Sequence, residues 1–332
     1  MTGIHAMRPR CATAPLALTL LSVTLLVLSV DRSAASATFA PRQDQAIRVG
    51  VPLVNIYASV LDKHNAFVPN LDQSDFRILE DKVEQKIAFF SREKTLPLSI
   101  GLLIDTSSSE ENKIGAEQQA ASQFLHSVLR EGDKAFVVVF DVDAKMLSNW
   151  TSDVDSLDRA IHGANVGAGG ADKLKPGVFY PNLGGTHLYD TIYAAAVKKM
   201  SSETGRKALI ILTDAHDEGS FVTIKQAVEA AQRADTLIQV LVVYDTKRNA
   251  DFDAAKQLAG NTGGRAIDVA DQSRLKKAFD EISDELRSEY SLGYYPTNGA
   301  ADGKYRQLKL EMTGKNYKIL ARKGYYARSA GN

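Results

Sequence analysis

Apolar runs alternate with segments of helical periodicity along the middle of the chain. The apolar runs lie at 98–105, 135–141, 207–214, 237–245 and 264–270. The helical segments lie at about 111–130, 153–162, 187–201, 221–234, 252–260 and 271–289. Strands that are buried on both faces have continuous runs of Val, Ile and Leu, and alternation with helices is typical of parallel sheets. The pattern therefore predicts a doubly wound, mostly parallel α/β domain over 98–289. A short polar segment at 146–152 is expected to form an antiparallel edge strand.

Sequence typical of β-strands lies on both sides of this block. Residues 46–95 contain a β-branched run and then a hairpin that turns near Asp81-Lys82, and residues 290–328 contain three further strand-like runs. Two or three strands cannot bury a face alone. We therefore expect the N-terminal and C-terminal segments to pair into one small β-sandwich-like domain, into which the α/β domain is inserted.

The N-terminus has the pattern of a secretory signal peptide. Residues 11–30 carry no charge and follow Arg8 and Arg10, and Ala35-Ser36-Ala37 is a small-residue cleavage site. This predicts a signal peptide over 1–37, and a protein that is secreted, periplasmic or held in the cell envelope. An uncleaved anchor is the alternative, because 20 uncharged residues can span a bilayer. After cleavage, no membrane insertion is expected.

Composition excludes some classes of function. The chain has 332 residues, of which 44% are hydrophobic, which is enough for one large or two modest domains. Its 40 basic and 40 acidic residues balance. Nucleic-acid-binding proteins usually carry an excess of basic residues, so this balance argues against a nucleic-acid partner. The single cysteine, Cys11, lies in the predicted leader, so no disulfide is expected in the mature chain.

Polar residues lie at three points of the central block that are expected at the carboxyl edge of the predicted sheet. Asp105, Ser107 and Ser109 follow the first buried run, Thr186 opens a helix after Gly184-Gly185, and Asp214 ends a later run. The carboxyl ends of parallel strands meet at one edge of a sheet, where ligands bind. Two carboxylates and three hydroxyls are hard oxygen donors that suit Mg²⁺, Mn²⁺ or Ca²⁺ better than zinc.

Two neighbouring features have less specific interpretations. Ser108 and Glu111 have the spacing of a helix capping box. The glycine-rich segment 163–185 is either a functional loop or a tolerated insertion, and it lacks the pattern of a phosphate-binding loop. His187, His216, Asp190 and Asp217 are expected to be ordinary loop or helix-start residues.

The polar residues at these three points resemble the site of a known domain family. Asp105-Thr106-Ser107-Ser108-Ser109, with Thr186 and Asp214 in the same order, resembles the metal-ion-dependent adhesion site of von Willebrand factor type A domains. The segments "DFRILEDKVEQKIAFFSRE" and "GGTHLYDTIY" and the tail from "LRSEYSLGYYP" to "ARKGYYA" resemble the VWFA-related acidobacterial domain family of secreted bacterial proteins. This resemblance spans roughly residues 46–328.

The resemblance implies roles for the five residues. Ser107, Ser109 and Thr186 would bind the cation directly, while Asp105 and Asp214 would act mainly through water. An Asp or Glu carboxylate of a protein partner would complete the coordination. The implied function is metal-dependent protein–protein interaction or adhesion by a secreted or envelope protein, and not catalysis.

The sequence departs from the family pattern at two positions. Glu110 stands where related domains commonly have an apolar residue, and Ala215 stands where glycine is frequent. Glu110 is expected to compete for the metal or to reduce its pull on an acidic partner.

Two other functions remain open from sequence. One is a metal-dependent phosphohydrolase with Asp105 as nucleophile, although Ser107 stands where such enzymes usually have a second acid. The other is a structural envelope scaffold with an incidental or degenerate metal site.

Overall fold

The computed structural model describes residues 53–93, 96–168, 185–271, 273–314 and 316–329. The predicted signal peptide and most of the 163–185 segment lie outside these residues. In the part of the chain that is described, no helix combines the length and apolarity needed to cross a bilayer.

The described residues form 14 strands and six α-helices. The strands are β1 Val54–Leu61, β2 Phe76–Glu80, β3 Val83–Gln85, β4 Ile87–Glu93, β5 Leu98–Asp105, β6 Lys134–Phe140, β7 Ala144–Thr151, β8 Arg206–Thr213, β9 Leu237–Val243, β10 Ala266–Val269, β11 Glu289–Tyr294, β12 Tyr305–Met312, β13 Lys318–Ala321 and β14 Gly324–Tyr326. The helices are α1 Ile114–Val128, α2 Val154–His162, α3 Leu188–Ala195, α4 Ile224–Arg233, α5 Phe252–Thr262 and α6 Ser273–Arg287.

Six strands form the central sheet in the order β10-β9-β8-β5-β6-β7. All neighbouring pairs are parallel except β6 and β7, so β7 is the antiparallel edge strand that the polar segment predicted. Helices α1, α2 and α6 cover one face and α3, α4 and α5 cover the other. Along β5, Leu102 faces the first layer and Leu103 the second, which is why the run is apolar throughout. The predicted fold class is confirmed.

The order of the strands creates a switch point between β5 and β8. The chain passes from β5 to β6 on one side and later returns to place β8 on the other side of β5. In such sheets a crevice opens at the carboxyl ends of the two strands that flank the switch. Asp105 ends β5, and Asp214 directly follows β8.

The two flanking segments pair with each other in two antiparallel four-stranded sheets, β13-β1-β11-β4 and β14-β12-β2-β3. Ile56 of β1 lies opposite Leu292 of β11, and Ile78 of β2 lies opposite Leu310 of β12. Their apolar faces share one core with the buried ring of Tyr290. The predicted β-sandwich from both flanks is therefore present, although the tail 317–327 forms two strands rather than one. The exact domain limits, 46–95, 98–289 and 290–328, stay predictions.

The hairpin at Asp81-Lys82 forms as the sequence predicts. Both residues have positive φ, 47° and 70°, the pattern of a type I′ turn, which matches the twist of the strands β2 and β3 that it joins.

One buried ion pair fixes the point where the chain enters and leaves the α/β domain. Asp133 accepts hydrogen bonds from the backbone N–H of Leu98, the first residue of β5, at 2.7 Å, and of Arg130 at 2.8 Å. It also pairs with Arg287, the last residue of α6. Because breaking a buried pair leaves an uncompensated charge, this contact holds both connections to the sandwich in place.

The sandwich buries a carboxylate of its own. Glu80, at the end of β2, is 2% exposed and accepts hydrogen bonds from the hydroxyls of Tyr294 at 2.5 Å and Tyr325 at 2.9 Å. Burial, and then the hydrogen bond to Glu80, raises the pKa of both phenols. Both O–H groups thus donate to the same oxygen of Glu80, Oε2.

Candidate metal centre

Hydrogen bonds hold the side chain of Asp105 in place at the switch point between β5 and β8. Its side chain is fully buried, and one carboxylate oxygen accepts the backbone N–H of Ser107 at 2.9 Å. The other oxygen accepts the hydroxyl of Thr213, the last residue of β8, at 2.6 Å. Both oxygens therefore have partners that hold the carboxylate at the carboxyl edge of the sheet.

The two predicted serine ligands lie on the turn that follows. Residues Ser108–Glu110 form one 3₁₀ turn, which brings the hydroxyl oxygens of Ser107 and Ser109 to 3.0 Å of each other. Oxygen ligands of Mg²⁺ lie at about 2.1 Å, so neighbouring corners of the octahedron are about 3.0 Å apart. The two hydroxyls are hydrogen-bonded to each other, at a spacing that two adjacent ligands would also have.

Asp214 reaches the same place from the end of β8. It is 6% exposed, and its carboxylate accepts the backbone N–H of His216 at 3.0 Å. Ala215 has φ +65°, a left-handed conformation that residues other than glycine, Asn and Asp rarely adopt. A glycine at this position would adopt the same conformation without strain.

Thr186 lies between the loops that follow β6 and β8. Its carbonyl accepts the N–H of Glu218 at 2.9 Å, and the N–H of His187 donates to the carbonyl of Asp141 at 2.7 Å. Gly185 has φ +108°, and a Cβ there would lie 2.0 Å from the carbonyl oxygen of Glu218. Only glycine fits that approach, so Gly185 sets the path that carries Thr186 to the sheet edge.

A third carboxylate belongs to this centre. Glu110 is fully buried, and one oxygen each of Glu110, Asp105 and Asp214 lie within 4.8 Å of one another. The hydroxyl of Ser109 donates to Glu110 at 3.3 Å, and the ammonium of Lys113 lies 3.2 Å from the other oxygen of Glu110.

A fourth acid lies behind Glu110. Glu117, on α1, is fully buried, and no donor in the described part of the chain reaches either of its carboxylate oxygens. The one buried ammonium nearby, that of Lys113, is 4% exposed and faces Glu110. Among these residues four carboxylates thus face one buried ammonium, which pairs with Glu110 and also lies 3.9 Å from the carboxylate of Asp245.

The crowding of acids raises their pKa values. Burial raises the pKa of Asp105 to about 7, and the charge of Glu110 adds to this. Burial also raises the pKa of Glu110 despite Lys113, and that of Glu117 well above its usual range, where the charges of Glu110 and Asp105 contribute. Such a site takes up either protons or a cation. An all-oxygen donor set, a hydroxyl pair at octahedral spacing and an unsatisfied buried carboxylate fit a hard divalent cation.

Sequence reasoning singled out Glu110 but missed Glu117, and it misplaced the start of the helix. The predicted capping box is wrong: α1 begins at Ile114 with Lys113 as its N-cap, and Ser108 and Glu111 are exposed. The missed signal is periodicity, because Glu117 is in phase with the buried face of α1, whose large members are Phe124, Leu125 and Val128. A glutamate in that phase indicates a buried acid.

Of the other polar residues near the centre, Asp190 and Asp217 have structural partners, whereas the buried Nε2 of His187 has none among the described residues. Asp190 accepts the backbone N–H groups of Phe221 and Val222, and Asp217 accepts that of Tyr189. These bonds join the start of α3 to the loop after Asp214. They leave the ring of Phe221 83% exposed at the rim of the centre.

Comparison with known proteins agrees with the resemblance. Residues 100–216, which include the whole candidate centre, match the family model of the von Willebrand factor type A domain. No curated protein matches the chain.

Solved structures with a similar fold have low sequence identity. A conserved hypothetical protein, BatB, from Bacteroides thetaiotaomicron is 18% identical, with a TM-score of 0.43 over 57% of this chain and 100% of that one. A von Willebrand factor type A protein from Catenulispora acidiphila is 13% identical, with a TM-score of 0.48 over 79% and 75%. Proximal thread matrix protein 1 from the mussel byssus, with a zinc-occupied MIDAS motif, is 15% identical, with a TM-score of 0.45 over 62% and 49%.

Proposed function

We propose that this chain is a secreted or cell-envelope module that binds another protein through a divalent cation. The cation, Mg²⁺ or else Mn²⁺ or Ca²⁺, would be held by Asp105, Ser107, Ser109, Thr186 and Asp214. The observation that carries the proposal is the set of buried, poorly neutralised carboxylates beside a hydroxyl pair at octahedral spacing.

The placement of the donors supports recognition of a partner. The carboxylates of Asp105 and Asp214 are buried, whereas Ser107 is half-buried and Ser109 is exposed. A cation on these groups has its protein ligands on the inner side and an open outer side. The carboxylate of an Asp or Glu on a partner fits that side, since Mg²⁺ keeps exchangeable water positions. The exposed ring of Phe221 offers an apolar contact beside it.

The same geometry argues against the phosphohydrolase alternative. A nucleophilic aspartate must present a free oxygen to the substrate phosphorus. Both oxygens of Asp105 already accept hydrogen bonds, from Ser107 and Thr213, and the side chain is fully buried. Each oxygen keeps a second lone pair that can accept a hydrogen bond from a metal-bound water, so Asp105 is suited to orient water on a cation.

A peptide selection tests the proposal. A random displayed library is selected on the immobilised protein in Mg²⁺, and bound peptides are eluted with EDTA. The eluted peptides should contain Asp or Glu, lose binding when that residue becomes Asn or Gln, and fail to bind Asp105→Ala. Glu111→Gln, which removes an exposed charge from the same turn, should bind normally.

Two results would refute the proposal. One is binding that resists EDTA at full strength. The other is equal binding by the wild type and Asp105→Ala.

A further inference from the structure

Glu110 occupies a place that the five-residue centre does not require. It is fully buried, it lies on the turn that carries Ser107 and Ser109, and one of its oxygens is within 4.8 Å of oxygens of both Asp105 and Asp214. An acid in this position is costly in a site that already holds two buried carboxylates. Its neighbours indicate what stabilises it.

We propose that Glu110 is an internal ligand, which binds the cation from its buried side and, in the absence of a partner, lowers the cation's attraction for an acidic ligand from outside. This inference rests on the proposed function of the centre. It gives the free protein a site that holds its cation tightly and resists weak acidic ligands.

Charge explains the preference for this position. Asp105 and Asp214 alone balance a divalent cation, and three hydroxyls add no charge. Glu110 adds a third negative charge, which strengthens cation binding and weakens the cation's attraction for a carboxylate from outside. Mg²⁺ sites commonly use one or two carboxylates, so a third at the same centre is distinctive.

Lys113 provides a second partner for Glu110. Its ammonium lies 3.2 Å from the Glu110 oxygen opposite the one that contacts Ser109. Glu110 therefore lies between two positive partners, the cation and Lys113. A strong acidic partner would displace Glu110 from the cation, and the charge of Lys113 would stabilise the displaced carboxylate.

Glu117 acts as a positioning residue in this arrangement. It is fully buried behind Glu110 and receives no donor from the described residues. Its buried carboxyl group lies on the α1 side of Glu110 and fills the space there. The side chain of Glu110 is thus confined to the space between the cation site and Lys113.

Manganese binding measures the role of Glu110 directly. The protein is stripped with a chelator and titrated with Mn²⁺, free Mn²⁺ is followed by EPR, and the waters on the bound ion are counted by water-proton relaxation. Glu110→Gln should weaken Mn²⁺ binding by about tenfold, as expected for loss of a charged ligand, and should add one bound water. Added acetate should displace a water from Glu110→Gln but not from the wild type.

Two further variants control the experiment. Glu111→Gln removes the same charge from the exposed neighbour and should match the wild type in affinity and water count. The double variant Glu110→Gln/Lys113→Met removes the buried pair together, so no orphaned ammonium disturbs folding, and it should show the same added water as Glu110→Gln.

The outcomes separate the two proposals. If the wild type binds Mn²⁺ and Glu110→Gln binds it with the same affinity and water count, the internal ligand is refuted and the proposed function stands. If the wild type binds no Mn²⁺, the proposed function and this inference both fail.

Discussion

In the described part of the chain, the β-sandwich buries one glutamate, the carboxyl edge of the α/β sheet buries two, and the surroundings in the two places are opposite. In the β-sandwich, Glu80 receives the hydroxyls of Tyr294 and Tyr325. At the edge of the α/β sheet, Glu117 receives no donor from the described residues, and Glu110 lies beside two aspartates with one ammonium, that of Lys113, as its cationic partner. Burial is nearly complete in both places, so the difference lies in the donors.

This contrast separates a structural acid from a functional one. A buried carboxylate with enough donors stabilises the fold around it, and a buried carboxylate without them costs free energy until a proton or a cation arrives. The comparison therefore predicts opposite responses of the two regions to mutation, pH and divalent cations.

Loss of a donor in the sandwich should have the largest effect. Tyr294→Phe removes one of the two hydrogen bonds to Glu80 and should lower the free energy of unfolding by about 2 kcal/mol, with or without Mg²⁺. Urea denaturation measures this, and Tyr193→Phe, on an exposed ring, is the matched control. If Tyr294→Phe were as stable as the wild type, the hydrogen bond from Tyr294 would not stabilise Glu80, and the comparison would fail.

The metal-free centre should lose stability as pH rises. The pKa of Asp105 is raised to about 7 in the folded chain from an ordinary value of 3.8. Its stabilising contribution is therefore complete below about pH 4 and is lost as pH rises through 7, by up to about 1 kcal/mol per pH unit. Urea denaturation in EDTA between pH 5 and 7 measures the slope.

Two comparisons make this pH prediction specific. Saturating Mg²⁺ should flatten the slope, because the cation replaces the protons, and Asp105→Asn should flatten it without Mg²⁺. A wild-type slope in EDTA that equals that of Asp105→Asn would contradict the account.

Glu117→Gln should stabilise the metal-free protein, which is the reverse of the sandwich result. The amide has nearly the shape of the carboxylate, supplies donors toward Glu110 and does not ionise. Because burial raises the pKa of Glu117 well above its usual range, the gain should grow with pH and reach about 1 kcal/mol at pH 8. Thermal melting in EDTA measures this gain in stability. The control variant Glu111→Gln should melt at the same temperature as the wild type. A Glu117→Gln variant less stable than the wild type would mean that the carboxylate of Glu117 has a hydrogen-bond donor.

The smallest effect should come from the backbone that carries Thr186. Gly185→Ala changes no ligand, but its Cβ would collide with the carbonyl of Glu218 and shift Thr186. Mg²⁺ affinity should fall by about fivefold, or about 1 kcal/mol. Gly115→Ala, where a Cβ meets nothing within 4 Å, should leave the affinity unchanged. Equal affinities in the two variants would exclude Thr186 as a ligand.

The sequence predicts the sheet well because its signal is local. The runs at 98–105 and 207–214 are continuous since both faces of the sheet are buried, and the strands they predict match β5 and β8 within a residue. The topology then brings the ends of these strands together, so the proximity of Asp105 and Asp214 follows from pattern alone.

The inward position of Glu110 is harder to predict because it depends on where one turn ends. The spacing of Ser108 and Glu111 suggested that the helix begins directly after the serines. The chain instead makes a 3₁₀ turn over Ser108–Glu110 and starts α1 at Ile114. That delay turns Glu110 inward and Glu111 outward, and no pairwise motif in the sequence distinguishes the two.

Calorimetric titration of chelator-treated protein with Mg²⁺ tests the central claim most directly. The account predicts one cation per chain for the wild type and for Tyr294→Phe, and none for Asp105→Ala or Asp214→Ala. Absence of binding to the wild type, or undiminished binding by both aspartate variants, would contradict it.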